Sequence, residues 1–246
     1  MWQFEMFFLR ENSALARSVY EQLIEKTNGL DARVTCHSNS MFIIVRVEGD
    51  VVIQTSLEYY ISEQILYIIC TNFKRKYLEL NVKIKGEEKY VDLLLDALVE
   101  FDRESDFFLL QKNIDLQSKL YVESFYEFKL SSLREKWSAA LSIANNNSYY
   151  FQNQSSFVEF IRFLVENIEI CNDCVNVVVE GERVQLFDSN FKKIVFSSGN
   201  LTSKLISLSP KKINCYIGGN GSNSDIKTMF DIFTNRVTTY PLDNLI

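Results

Sequence analysis

The residues best placed to do chemistry are Gly218-Gly-Asn-Gly221-Ser-Asn-Ser224. They follow an apolar run and precede a helical one. Free backbone N–H groups and the positive end of a helix dipole could therefore meet an anion there. The candidate cofactor-binding positions are Gly218, Gly219, Gly221, Ser222 and Ser224. The stretch lacks the lysine of a triphosphate-binding loop, and Ser224 stands where Gly-x-Gly-x-x-Gly would end. A strand-to-helix connection capped by Asn223 or Ser224 explains the same residues without a ligand.

Cys171-Asn-Asp-Cys174 offers half of a tetrahedral zinc site, and the other cysteines, Cys36, Cys70 and Cys215, are scattered singly. The pair follows a helical pattern and precedes a strand. A redox dithiol has the opposite order, opening a helix that lowers the first thiol's pKa. His37 is the single histidine, so a triad or multi-histidine metal site would rest on it alone. A strand-end or turn histidine is the weightier reading. Asp92, Asp96 and Glu100 recur every four residues, with Asp102, Glu104 and Asp106 beyond, and could gather carboxylates for magnesium or acid–base work. Val91, Leu94, Leu95, Leu98 and Phe101 fill the rest of that helix, which favours a solvated face opposite a core face. Lys74-Arg-Lys76, Lys192-Lys193 and Lys211-Lys212 lie near Phe73, Tyr77, Phe191 and Phe196, a mix that can bind single strands. Rim charges around a helix end or sheet edge are the simpler reading. No catalytic residue, metal ligand or cofactor is predicted from these groups.

The elements that position them form three sections. In residues 1–54, a strand over 2–9 precedes a helix opened by Ser13 and stopped by Gly29, and strands Ala32–His37 and Met41–Glu48 follow. Residues 55–150 are helical in pattern, with Leu120, Phe125, Phe128, Leu133, Trp137 and Leu141 among the periodic apolar positions. The run Asn145-Asn146-Asn147 marks the boundary. In residues 151–246, Ser156 and Glu159 suggest a capping box for a helix over 157–168. Val175–Val179 and Arg183–Phe187 flank Glu180-Gly181-Glu182 as a hairpin, and Lys193–Phe196 reads as a third strand. A helix over 201–208 is stopped by Pro210. Strand 213–217, helix 225–233 and strand 237–240 complete a crossover unit. The fold class expected is α+β (mixed α/β): a small N-terminal α/β unit, a helical middle and a C-terminal mixed sheet with packed helices.

The chain has 246 residues, 47% of them apolar, with 19 Phe and 12 Tyr but only 8 Gly and 2 Pro. That balance predicts a large aromatic core and long regular elements rather than a disordered chain. A formal charge of −6 opposes nonspecific binding to a phosphate backbone, so no nucleic-acid partner is expected. No run is long and apolar enough to span a bilayer. Met1–Arg10 has neither the positive start nor the cleavage site of a signal peptide, and five cysteines make an odd count. Cytoplasmic residence with reduced thiols is expected.

Several blocks together resemble one family. They are Phe157-Val-Glu-Phe-Ile-Arg-Phe-Leu-Val165, Val175–Val179, Gln185-Leu-Phe-Asp188, Leu205-Ile-Ser-Leu-Ser-Pro-Lys-Lys-Ile213 and Ile232-Phe-Thr-Asn-Arg-Val237. With them, Phe125-Tyr-Glu-Phe-Lys-Leu130 is similar to a Phe-x-x-Phe-Arg-Leu element. These blocks resemble the YtxC-like sporulation proteins of endospore-forming Firmicutes, over roughly Tyr121 to Val237, about half the chain. The resemblance implies a sporulation context and carries no reaction or catalytic residue. The function expected is binding of a protein partner rather than an enzymatic step. The alternative is a phosphate- or nucleotide-binding protein or enzyme that uses Gly218–Ser224.

Overall fold

Alternation decides the first strand. β1 (Trp2–Leu9) buries Trp2, Phe4, Met6 and Phe8 on one face, the period of two that a pleated strand imposes. The computed structural model describes residues 1–116, 118–149, 151, 153–197, 200–218 and 223–245. In chain order the further elements are α1 (Ser13–Thr27), β2 (Ala32–Ser38), β3 (Phe42–Gly49), α2 (Gln54–Ile68), α3 (Lys74–Asn81), α4 (Glu88–Phe101) and α5 (Arg103–Gln111). There follow β4 (Lys119–Tyr121), α6 (Val122–Lys129), α7 (Ser131–Asn146), α8 (Gln154–Glu166), β5 (Asn172–Glu180), β6 (Arg183–Phe187) and β7 (Lys193–Ile194). The last are α9 (Leu201–Leu208), β8 (Pro210–Gly218), α10 (Ser224–Ile232) and β9 (Val237–Pro241). The fold is α+β, with two mixed sheets.

The chain forms two compact units, Met1–Tyr77 with Glu104–Ala139 and Leu78–Arg103 with Ala140–Ile246. These cut across the three sections expected from the sequence. The middle helices do not build a core of their own: each segment of them buries its apolar face in one of two separate cores.

In the first unit the sheet runs β2-β3-β1-β4, with β1 antiparallel to β3 and parallel to β4. Phe4, Met6 and Phe8 meet Ala16, Val19 and Leu23 of α1, Leu57, Ile61 and Ile65 of α2, and Phe125 of α6 in one core. Burying each such side chain contributes roughly 1.5–3 kcal/mol. Strand β4 corrects the helical reading of Leu120, since three residues are too few to show alternation and their partner strand opens the chain. Phe128, also placed on the helical apolar face, is 82% exposed.

Inside this unit lies a buried charge. Asp106 is fully buried, and its carboxylate accepts from Lys74 Nζ at 2.7 Å, Lys136 Nζ at 2.7 Å and Trp137 Nε1 at 2.9 Å. Lys74 is itself buried and directly follows a π-helical turn, Ile69–Phe73, which re-phases the helix before it. Neither Asp106 nor Lys74 is the surface charge that the sequence reading made of it.

In the second unit the sheet runs β7-β6-β5-β8-β9; β5, β8 and β9 are mutually parallel, β6 is antiparallel to β5, and β7 is antiparallel to β6. The hairpin between β5 and β6 closes on Gly181, whose φ of 61° is the left-handed geometry that a II′ turn demands of its first central residue. Val175, Val177 and Val179, with Ile213 and Cys215, share one buried face. Helices α4, α8, α9 and α10 pack on one another and supply Leu94, Phe157, Ile161, Leu205 and Met229 to the same core. Helix α8 starts earlier than the proposed capping box allows. Asn153 is its cap, accepting from the Ser155 N–H at 2.9 Å, and Ser156 lies inside the helix. Asparagine caps as well as serine does, so the local pattern offered two starts.

Replacing Asp106 with alanine strands Lys74 in the core without this carboxylate. The expected loss is about 3–5 kcal/mol in urea denaturation, and a loss under about 1 kcal/mol would show that the network does not hold the unit together. Alkali should weaken both cores. Burial pushes the Tyr126 phenol from 10.0 up to about 12, against the nearby Arg134 charge, and the Cys215 thiol from 9.0 up to about 11. Both groups stay neutral in the fold after the unfolded chain has ionised. Their stabilisation is therefore complete below about pH 9 and falls as pH rises toward 11 and 12. Tyr126→Phe and Cys215→Ala should each flatten that fall in a pH series of melting temperatures.

Candidate functional site

The glycine-rich stretch is anchored at both ends by ordinary packing. Gly218 ends β8, and a Cβ there would lie 2.6 Å from Leu242 Cδ2 and 3.2 Å from Leu242 Cβ. The close approach of the chain's own leucine thus accounts for a glycine at this position. Ser224 opens α10, whose cap is Asn223, accepting from the Asp225 N–H at 2.8 Å. Gly219, Gly221 and Ser222 lie outside the described residues. Beside the helix start is a cleft of about 700 Å³ lined by Glu182, Arg183, Gln185, Lys193, Asn223 and Asp225, among others. Two carboxylates there balance two cations, and Asp225 sits at the helix N-terminus where an anion would bind. Lys89 faces that carboxylate at 3.4 Å and donates to Thr228 Oγ1 at 2.9 Å.

The other sequence candidates are dispersed. Cys171 is exposed just before β5, where its sulfur accepts from Arg103 Nη2 at 2.7 Å; Cys174 Sγ accepts from Asn214 Nδ2 at 3.2 Å. His37 is exposed on β2, an edge strand. Glu100 is 7% exposed and bridges to Arg103 Nη1 at 2.7 Å, so it does not belong to a solvated carboxylate face. Its helix is buried over more of its surface than a solvated face opposite a core face implies, because α8 and α9 both pack on α4. Among the described residues, no three or more of His, Cys, Asp and Glu are grouped to hold a metal ion.

What the tertiary structure does assemble is an accessible face on each sheet. Paired residues on neighbouring strands share a face, so register assigns the side chains. On the first sheet the face opposite the core carries Phe7, Phe42, Tyr121, Ile44, Arg46, Glu5 and Thr35. Phe7 stacks on Tyr121 with centroids 4.5 Å apart, and Phe42 meets the two rings edge-on at 5.9 and 5.6 Å. Tyr121 is 37% exposed. Arg46 bridges to Glu5 at 2.6 Å and Glu48 at 3.5 Å, and those carboxylates hold its guanidinium pKa above the ordinary value. An apolar cluster is thereby bordered by a satisfied ion-pair network.

On the second sheet the corresponding face carries Phe187, Gln185, Asn176, Val178, Asn214, Tyr216, Tyr240, Lys193 and Lys212. Tyr216 and Tyr240 stack at 5.4 Å with planes 26° apart. Lys212 Nζ donates to the Tyr240 hydroxyl at 3.4 Å and lies 5.9 Å from its ring centre. Asn214 Nδ2 also donates to Asn176 Oδ1 at 3.0 Å, and Asn176 Nδ2 to the Asp188 carbonyl at 2.8 Å. The sequence reading took Lys193 and Lys212 as rim charges and passed over Tyr216 and Tyr240. The strands were visible in the sequence, but only register says which aromatic meets which.

No protein-family model matches the chain, and neither a curated protein nor a solved structure matches it.

The geometry at α10 sets an expectation for the phosphate alternative: millimolar phosphate or ATP should leave the melting temperature unchanged, and a rise of several degrees would reinstate that site. For the thiols, brief iodoacetamide treatment of the native protein at pH 8 should label Cys36 and Cys171 and spare the buried Cys70 and Cys215, as peptide mass spectrometry can read. Early labelling of Cys215 would contradict its burial.

Proposed function

We propose that the chain is a cytoplasmic, sporulation-associated protein that works by binding another protein rather than by catalysis. The sporulation context rests on the resemblance of Phe125–Leu130 and the blocks from Phe157 to Val237 to the YtxC-like proteins. The binding role rests on one observation, the accessible cluster of Phe7, Phe42 and Tyr121 beside Arg46. Interfaces concentrate their energy in aromatic and arginine side chains, with an apolar centre inside a polar rim. This face has that arrangement. No helix among those residues is long and apolar enough to cross a membrane, which agrees with a partner met in the cytoplasm.

The test is capture from sporulating and vegetative cells of an endospore-former, with wild-type protein and Phe42→Ala and Tyr121→Ala variants as bait. The expected result is a protein retained from sporulating cells by wild type. Reconstituted with purified components, its affinity should fall about 30-fold with either variant, near the 2 kcal/mol of an interface hot spot. If wild type and variants retain the same proteins equally, the face is not the interface.

A further inference from the structure

The second sheet also carries aromatic side chains on the face opposite its core. We infer that its accessible face is a platform for single-stranded nucleic acid, with bases stacked on Tyr216, Tyr240 and Phe187 and phosphates met by Lys212 and Lys193. This is independent of the protein-binding face on the first sheet.

Each aromatic on this face has a cation beside it. Lys212 lies against the Tyr216–Tyr240 stack, and Lys193 pairs in register with Phe187. The first sheet also has a lysine beside a ring, Lys119 Nζ at 5.9 Å from the Tyr121 centre, but its arginine is held by Glu5 and Glu48. On the second sheet Glu180 and Arg183 face each other at the hairpin end, and the cations flanking the rings are Lys212 and Lys193, the latter also lining the cleft that holds Glu182 and Asp225. The two aromatic–lysine pairs sit on either side of a strip of lower side chains, Val178, Asn176 and Asn214. Phe187 and Tyr216 are two strands apart, about 10 Å by ordinary strand spacing. A strand of nucleotides crossing the sheet could therefore use both pairs.

The chemistry favours a single strand over a duplex. Stacking needs an exposed base, and it is tolerant of sequence because every base has a π-face. A duplex hides its bases and would have to bind through charge alone, which a chain of formal charge −6 opposes. The acidic total and the local basic surface are compatible, because a stacking platform takes only part of its affinity from phosphate contacts. The Gln185 amide adds a donor and an acceptor at the level of base edges, while Asn176 and Asn214 bond to each other between the strands.

Fluorescence anisotropy of the full chain with labelled 12-nucleotide RNA and DNA of one mixed sequence tests this. Saturable binding of at least one single strand is expected, with the matching duplex bound at least tenfold more weakly. Preference for the RNA would identify a 2′-hydroxyl contact, and equal binding would identify a platform indifferent to the sugar; both sustain the inference. Tyr216→Ala should weaken binding about tenfold and Tyr216→Phe should restore it, because the ring and not the hydroxyl makes the stack. Lys212→Ala should weaken binding and reduce its salt dependence, whereas Lys227→Ala, which removes an exposed charge from α10, should leave it unchanged. No binding of either strand, equal binding of the duplex, or full displacement by polyglutamate would overturn the proposal. So would Tyr216→Ala binding like wild type while retaining the native circular dichroism spectrum.

Discussion

The first unit is built around a charge it cannot expose. Asp106 lies at zero exposure on α5, and its carboxylate is met from α3 by Lys74 and from α7 by Lys136 and Trp137. Removing such a carboxylate from water costs several kcal/mol, and only opposed charges and donors in good geometry offset it. Hydrogen bonds between ionised groups are about twice as strong as neutral ones, but they tolerate little displacement. The network therefore does what a purely apolar contact would not: it allows one relative placement of three helices. Lys136 remains partly accessible and can keep some hydration, whereas Lys74 cannot. The π turn before Lys74 belongs to the same constraint, since it changes the helical phase just ahead of the one buried lysine.

A second constraint follows from how the sheets are covered. Each sheet turns one face to its own helices and buries the centre of it, as Phe4, Met6 and Phe8 show in one unit and Val175, Val177 and Val179 in the other. The opposite face of each keeps partly accessible aromatics. Their surroundings separate them chemically. Around Phe7, Phe42 and Tyr121 the charges of Arg46, Glu5 and Glu48 pair with one another, and Lys119 lies 5.9 Å from the Tyr121 ring centre. Around Tyr216, Tyr240 and Phe187 the neighbouring charges are lysines, Lys212 at the Tyr240 hydroxyl and Lys193 opposite Phe187. A pleated strand forces this economy of design: when every second side chain builds the core, the alternate ones must meet solvent or a partner.

The glycine-rich stretch shows how a motif changes meaning in three dimensions. Read along the chain, Gly218 belongs with a phosphate loop. In space it is the residue that lets Leu242 close over the end of β8, while Asn223 and Asp225 occupy the start of α10. Cys171 and Cys174 change in the same way, because each sulfur engages a different neighbour, Arg103 in one case and Asn214 in the other.

Sequence alone determined the α+β class, the extent of β1, the helix over 201–208, the hairpin at Gly181 and the strand–helix–strand order at the end of the chain. Those are local properties: side-chain period, turn chemistry and caps act over a few residues, and the residues concerned are contiguous. Boundaries set by competing caps, as at Asn153 and Ser156, were less legible for the same reason, since either residue could serve. Tertiary structure alone decided the rest. Strand β4 exists because β1 pairs with it, Asp106 is buried because Lys74, Lys136 and Trp137 converge on it, and the aromatic faces exist because register brings distant rings together. Each of these depends on contacts between segments far apart in the chain, and no local pattern encodes which distant partner a strand, a carboxylate or a ring will meet.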